Sequence, residues 1–226
     1  MPALIDLTLD TTVTPVLHPA RIHGAACTLL RTHEGGRLFS AAPPRPEGRR
    51  ARWRLGWLAA QPPTLAPGHV TFGDTEHAVL DRRVVPISHL ELSNTPPRRH
   101  AAVQVISPMY FSRNGRDHPL PDPVLAMQSL IRRWDGTAPR GLSVPADAAR
   151  SLIDVVWLAG MDGRTVAGQV GARTFQIGFV GDVEFALTRR ATNADATLFA
   201  ALLAFAELAG LGAQTGHGFG SVALRP

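Results

Sequence analysis

The sequence contains no lysine and only one cysteine and one tyrosine among its 226 residues. The single cysteine, Cys27, excludes an intramolecular disulfide and a zinc site built from several cysteines. No apolar run approaches the roughly 20 residues that span a bilayer as a helix. The first residues, MPALIDLTLDTTVTP, lack the basic and apolar regions of a signal peptide. We therefore expect a cytoplasmic protein with no membrane partner.

All 23 basic residues are arginines, and the 18 acidic residues leave a formal net charge of +5. Two explanations of the missing lysines stay open: the coding bias of a GC-rich genome, and a polyanionic partner that arginine pairs in a bidentate manner. The densest cluster is RPEGRRARWR at residues 45–54, where Trp53 stands among the arginines. This cluster predicts a nucleic-acid surface, whereas solvated faces explain most of the arginine pairs elsewhere.

The length suits two domains, and the patterns of the sequence divide it at the segment SNTPPRRH. We place an N-terminal domain at residues 1–97 and a C-terminal domain at residues 98–226.

The second half carries the clearer pattern. AAVQVISPMYF predicts a strand, and LPDPVLAMQSLIRRW predicts a helix capped by Asp122. ARTFQIGFVGDVEFAL predicts two strands joined by a turn. NADATLFAALLAFAELAG predicts a helix that Asn193 or Asp195 caps and Gly210 ends, and FGSVAL predicts the last strand. This β-α-β-β-α-β order is that of the ferredoxin-like, split βαβ unit.

The first half fits the same order less closely. ALIDLTLDTT predicts a strand and HPARIHGAACTLLRTH a helix, and ARWRLGWLAA, HVTFG and RVVPISHLELS predict further strands. The second helix could only be DTEHAVLD. We therefore predict an α+β fold of tandem ferredoxin-like (split βαβ, RRM-like) domains.

A glycine-rich segment, LGAQTGHGFG, lies between the last helix and the last strand. Two interpretations are open: a tight helix-to-strand connection, or a backbone that a ligand approaches closely. A P-loop is excluded, because the Gly-Lys-Ser/Thr ending is missing and the segment follows a helix instead of preceding one.

Four segments of the second half resemble one known family. ISPMYFSRNG, LPDPVLAMQSLIRRW, GFVGDVEFAL and LLAFAELAGLGAQTGHGFG stand in the order found in the CRISPR-associated endoribonucleases that process precursor CRISPR RNA, the sixth numbered Cas proteins. IHGAACTLLRTHEGGRLFSAAP in the first half resembles the same family more loosely. The resemblance implies tandem ferredoxin-like domains, CRISPR repeat RNA as the partner, and one cut per repeat that needs neither a metal nor a cofactor.

The chemistry that the resemblance implies uses the RNA's own nucleophile. A 2′-OH attacks the neighbouring phosphate, a base takes its proton, and an acid protonates the leaving 5′-oxygen. A cation stabilises the charge that develops on the phosphate. The products are a 5′-OH and a 2′,3′-cyclic or 3′ phosphate.

Histidine suits the proton transfer because its ordinary pKa lies near the working pH. His33 matches the position of the family's catalytic histidine, and His23 and His217 are the alternatives. Some family members place a tyrosine and a lysine beside the histidine. Because this sequence has no lysine, the transition-state cation is assigned to Arg37, with Arg31 second.

The resemblance also implies the residues that contact RNA. Backbone N–H groups of the glycine-rich segment are expected to lie close to phosphates, where side chains would block the approach. The expected RNA-binding residues are Arg31, Ser40, Arg49, Arg50, Arg132, Arg133, Gly212, Gly216, His217, Gly218 and Gly220.

Alternative functions stay open at this point. One is a non-catalytic repeat-RNA-binding subunit of a CRISPR effector complex, and the other is a small-molecule-binding ferredoxin-like module. The sequence leaves open whether the protein acts as a monomer, as a homodimer or with other Cas proteins.

Overall fold

The computed structural model describes residues 1–10, 17–32, 38–66, 68–169 and 174–225. His33 and Arg37 lie outside the described residues. The described chain forms two ferredoxin-like units, each built on an antiparallel sheet. None of the helices within these ranges is long and apolar enough to cross a bilayer.

The first unit contains one long helix and six strands. These are β1 (Ala3–Leu9), α1 (Pro19–Leu30), β2 (Phe39–Ala41), β3 (Arg45–Glu47), β4 (Arg50–Trp57), β5 (His69–Phe72) and β6 (Thr75–Pro86). The sheet order is β2-β4-β1-β6-β5, and β3 pairs with β4. Alternate residues of β1, including Ile5 and Leu7, are buried against α1 residues such as Ile22 and Leu29. This alternation is the one that the sequence predicts for a half-buried strand.

The prediction that DTEHAVLD forms the second helix of this unit is wrong. These residues lie almost entirely in β6, which pairs with β1 on one side and with β5 on the other. The two ladders satisfy the backbone polar groups and outweigh the local helix preference. Between β4 and β6 the described residues contain no helix, yet the order β2-β4-β1-β6 is still that of a split βαβ unit.

RVVPISHLELS, predicted as a strand, is divided between two elements. The strand ends at Pro86, and Ser88 begins a short helix, α2 (His89–Ser93). Ser88 and Glu91 form a capping box, in which each side chain accepts a hydrogen bond from the other residue's backbone N–H. The Ser-x-x-Glu spacing was the signal that this prediction overlooked.

The second unit has the predicted β-α-β-β-α-β order with an added helix and an added hairpin, but one of its two middle strands, Val156–Gln169, was not predicted from the sequence. Its elements are β7 (His100–Met109), β8 (Phe111–Arg113), β9 (Arg116–His118), α3 (Pro123–Thr137), α4 (Ala146–Val155), β10 (Val156–Gln169), β11 (Phe175–Leu187), α5 (Asn193–Ala209) and β12 (Val222–Leu224). The sheet order is β10-β11-β7-β12, again that of a split βαβ unit. Helices α3 and α5 supply much of the core.

Helix ends in this unit confirm two predictions and correct a third. The Asp122 carboxylate accepts a 2.8 Å hydrogen bond from the Leu125 N–H at the start of α3, and Gly210 ends α5. The residue that caps α5 is Thr192 and not Asn193 or Asp195. Asp195 is the third residue of that helix, and its carboxylate accepts from the Thr192 N–H at 2.7 Å.

The two strands and the turn predicted for ARTFQIGFVGDVEFAL are wrong, because its residues from Phe175 onwards form the single strand β11. Gly181 has φ of +141°, and a Cβ there would lie 2.2 Å from the Asp162 carbonyl oxygen on the paired strand β10. The register against β7 shifts between Phe179 and Gly181. Glycine is therefore needed here for a β-bulge with close strand contact and not for chain reversal.

The two units pack directly on each other at the C-terminal end of α5. A Cβ at Gly56 of β4 would lie 1.8 Å from the Leu208 carbonyl oxygen, so only glycine allows this approach. The Ser40 hydroxyl of β2 donates a hydrogen bond to the same carbonyl. Leu58, which follows β4, is buried in the core of the second unit. The domain boundary at residue 97 stays a prediction.

Candidate functional site

The glycine-rich loop, residues 210–220, lies where the two units meet. Its 3₁₀ helix, Thr215–His217, packs on α1 and β2 of the first unit. Four of its glycines have positive φ, with values of +72°, +91°, +94° and +60° at Gly210, Gly212, Gly218 and Gly220. The loop therefore follows a path that other residues adopt only with strain.

Contacts within the protein account for several of these glycines. A Cβ at Gly212 would lie 2.3 Å from the Tyr110 carbonyl oxygen, and one at Gly220 would lie 1.9 Å from that of Leu211. The Gly220 N–H donates a 2.9 Å hydrogen bond to the Pro108 carbonyl. The tight connection expected as one interpretation is thus present. RNA contact by Gly212, Gly216, Gly218 and Gly220 stays a prediction.

Two histidines form the centre of this region. The rings of His23 on α1 and His217 in the loop stack with centroids 3.9 Å apart, and Phe39 of β2 stacks on His23 at 5.4 Å. His23 Nδ1 lies 3.2 Å from the Gly216 carbonyl oxygen, which can only accept, so Nδ1 carries the proton. In the neutral ring Nε2 then accepts from the Cys27 thiol at 3.5 Å. Both nitrogens of His23 are engaged.

The electrostatics of the pair keep His217 uncharged. Burial, and then the neighbouring His23, lower the pKa of His217 to about 4. Burial also raises the pKa of the Cys27 thiol, so the thiol keeps the proton that it donates to His23. At neutral pH His217 is therefore a polar aromatic ring without charge.

Arg133 links three elements beside this stack. Its guanidinium, on α3, donates to the Thr215 hydroxyl of the loop and, at 3.0 Å, to the Phe39 carbonyl of β2. Burial lowers the pKa of Arg133 to about 10, which still leaves it protonated at neutral pH. Arg132, the next residue on α3, is exposed. RNA contact by either arginine stays a prediction, and only Arg132 has its charge open to solvent.

The described chain fixes the elements on either side of the segment that carries His33 and Arg37. Helix α1 closes at Arg31, which has φ of +48° and whose N–H bonds back to the helix carbonyls, and Thr32 is buried. Strand β2 starts at Phe39 and packs on the 3₁₀ helix of the loop, so the chain that follows segment 33–37 lies beside the loop. Helix α1 contacts the same 3₁₀ helix through His23, which lies in its first half.

The arginine cluster of residues 45–54 divides into two groups. Arg49 and Arg50 are exposed where β3 turns into β4. Arg45, Arg52 and Arg54 line a cavity of about 140 Å³ together with Asp6, Ile106 and Ser221, and we call this the arginine cleft.

Three arginines and two carboxylates, Asp6 and Glu47, line the arginine cleft, which leaves a net charge of +1. The Asp6 carboxylate accepts from Arg54 Nε at 3.0 Å and from Arg52 at 3.3 Å. Burial and repulsion by Arg54 lower the pKa of Arg45. Ile106 and Ser221 belong to the second unit, so the cleft lies between the two units. Its excess of positive charge suits an anion.

Comparison with known families shows which protein family has this arrangement. Residues 103–222, more than half of the chain, match the family of the CRISPR-associated endoribonuclease Cas6. The chain belongs to the Cas6 family. It is therefore an RNA-cleaving enzyme, and the resemblance stated from the sequence is confirmed.

Solved Cas6 structures are similar to this protein over its whole length. A "Cas6 (TTHA0078) substrate mimic complex" has a TM-score of 0.80 and 26% identity, covering 99% of each chain. A "Cas6 (TTHB231) product complex" has a TM-score of 0.80 and 26% identity, covering 100% of both chains. A histidine-to-alanine mutant of Cas6 (TTHA0078) has a TM-score of 0.81 and 25% identity, covering 100% of this chain and 99% of its own. The TTHB231 protein is from Thermus thermophilus. No curated protein matches the sequence.

These similarities confirm the ferredoxin-like fold and an RNA ligand for this Cas6 protein. The sequence does not reveal the contacts that fix the loop, above all those of Thr215 and Phe39 with Arg133. The spacing of these residues does not signal the contacts, because the residues lie on three separate elements and far apart in the chain.

Proposed function

We propose that this Cas6 protein cuts precursor CRISPR RNA within each repeat without a metal ion. The 2′-OH beside the scissile phosphate is the nucleophile, and the products carry a 5′-OH and a 2′,3′-cyclic or 3′ phosphate. The observation that carries the proposal is that β2, the strand that follows segment 33–37, packs on the glycine-rich loop of a Cas6 fold.

His33 transfers the proton in this proposal, and Arg37 stabilises the charge on the phosphate. Two observations favour His33 over the other histidines of the region. Both ring nitrogens of His23 are engaged within the protein. The pKa of His217 is lowered to about 4, which makes it a weak base at neutral pH. One similar Cas6 structure is itself a histidine-to-alanine mutant, which agrees with a functional histidine.

The proposal is tested with the cognate repeat RNA, end-labelled and incubated with the protein in EDTA. We expect one cut per repeat, a 5′-OH on the downstream product, and a terminal phosphate on the upstream product. A single 2′-deoxy substitution immediately 5′ of the cut should abolish cleavage, because it removes the nucleophile. Cleavage of the deoxy substrate, or a need for divalent metal, would contradict the mechanism.

The same experiment tests the repeat as the place of cleavage. Tight binding of the repeat without products, over a range of temperature and pH, would contradict cleavage within the repeat.

A further inference from the structure

We propose that a cavity beside His217 binds one unpaired nucleobase of the RNA, stacked on the imidazole ring. This inference rests on the proposed function, because it names how the same RNA is held. It assigns to His217 a base contact in place of proton transfer or phosphate binding.

The cavity, which we call the base pocket, has a volume of about 240 Å³. Its walls are mostly apolar and come from both units. Wall residues include Pro19, Ile22, Pro43, Pro108, His217 and Phe219. A planar, weakly polar ring with polar groups at its edge suits such walls, as ligand pockets combine apolar lining with a few polar groups.

The stack of three rings makes His217 a rigid platform. His23 covers one face of His217 with an angle of 2° between the planes, and Phe39 stacks on His23 in turn. The bonds from His23 to the Gly216 carbonyl and the Cys27 thiol hold the middle ring in place. A preformed aromatic surface costs little entropy when a base stacks on it.

The edge of His217 is available for hydrogen bonding. Within the described ranges neither of its ring nitrogens has a hydrogen-bond partner. A neutral imidazole offers one donor and one acceptor, which matches the mixed donors and acceptors at the edge of a base. The lowered pKa of His217 keeps the ring in this neutral form.

A phosphate fits this pocket poorly. Among the described residues that line it there is no arginine, and the neutral His217 supplies no charge to offset the desolvation of an anion. The arginine cleft, in contrast, is lined by Arg45, Arg52 and Arg54 against two carboxylates, so one positive charge is left for a phosphate. The two cavities therefore suit different parts of a nucleotide.

Glycine at position 218 keeps the base pocket open. Gly218 lines the pocket with φ of +94°, and a Cβ there would lie 2.8 Å from Ile22 Cδ1 and 3.7 Å from Pro43. Both neighbours are wall residues. Any side chain at this position would project into the space between them.

The test measures binding of a repeat RNA made uncleavable by a 2′-deoxy substitution at the cut. The wild-type protein is compared with His217→Ala, His217→Phe and the control His69→Ala, an exposed histidine on β5. His217→Ala should weaken binding by about 5- to 150-fold, the range found when a stacking aromatic is removed. His217→Phe keeps a stacking ring and should lose less, and His69→Ala should bind as the wild type does.

A series of RNAs, each with one abasic nucleotide, identifies the bound base. One of them should bind the wild type as weakly as intact RNA binds His217→Ala, and combining the two changes should weaken binding no further. Effects that add for every abasic position would overturn the base pocket while leaving the proposed cleavage intact. If His217→Ala does not fold, His217→Leu serves as the second variant, because it fills similar space without a stacking ring. A wild-type protein that binds no repeat RNA would overturn the proposed function and the pocket together.

Discussion

The imidazole rings of His23 and His217 lie face to face, with centroids 3.9 Å apart. The contact joins the helix that precedes segment 33–37 to the glycine-rich loop of the other unit. Protonating both rings would bring two positive charges into contact in a partly buried place, which is unfavourable. The stack is therefore stable only while at least one ring is neutral.

This relationship predicts a loss of stability in acid. The folded-state pKa of His217 is lowered to about 4, below the ordinary value of 6.5. Between these two values an unfolded chain binds a proton that the folded protein does not, so the free energy of unfolding falls as pH falls through this window. His217→Phe removes the titrating group and should show a shallower fall. The measurement is urea unfolding over this pH range, and equal slopes for the two proteins would contradict the assignment.

Arg133 and Arg132 are adjacent arginines with opposite surroundings. Arg133→Ala should lower the free energy of unfolding by about 1.5–3 kcal/mol, because it leaves the Phe39 carbonyl and the Thr215 hydroxyl without their charged donor. Arg132→Ala removes an exposed side chain and should change it by less than about 0.5 kcal/mol. Chemical denaturation of both variants measures the difference. Equal effects would show that the internal contacts of Arg133 do not stabilise the fold.

Gly220 and Gly24 form a second matched pair. Gly220→Ala combines φ of +60° with a Cβ 1.9 Å from a backbone oxygen, so we expect strong destabilisation or failure to fold. Gly24→Ala lies within α1 with open space around its Cβ, and it should raise the free energy of unfolding by about 0.5–1 kcal/mol. Thermal melting measures the change in stability of both variants. A Gly220→Ala protein as stable as the wild type would contradict the internal role of this glycine.

Local signals in the sequence predicted those elements whose structure depends on residues close to them in the chain. The alternation in β1, the Asp122 cap and the Gly210 stop each act within a few residues, so they are visible in the sequence. The prediction of a second helix in the first unit was wrong because β6 forms through its pairing with β1 and β5, and the sequence does not display that pairing.

The candidate site was predicted only in part for the same reason. Glycine at positions 212 and 220 is visible in the sequence, but the carbonyl oxygens that require it belong to Tyr110 and Leu211. The stack of His23 on His217 joins residues almost the whole chain apart. The glycine contacts follow from how the loop folds onto the second unit, and the histidine stack follows from how the two units pack. No local pattern encodes either.

Charge predicts how RNA affinity depends on salt. The affinity for repeat RNA should fall steeply as salt rises, because each bound phosphate releases counterions. Arg49→Glu and Arg50→Glu should reduce the slope of log affinity against log salt by about 0.7–0.9 for each phosphate that the variant no longer binds. Arg190→Glu makes the same charge change at an exposed turn outside the site. An unchanged slope in the first two variants, or an equal change in the third, would contradict RNA binding by the cluster.

The most direct test of the cleavage mechanism is the single-turnover rate of repeat cleavage by His33→Ala, measured beside its affinity for the same RNA. If His33 transfers a proton at the scissile phosphate, the rate should fall by about 10²- to 10⁴-fold. The affinity should change little, because one neutral side chain contributes little to a charge-dominated interface. Arg37→Ala should slow cleavage and also weaken binding, since a cation meets the phosphate in the ground state as well. A full cleavage rate in His33→Ala would contradict the assignment of the proton transfer to this residue.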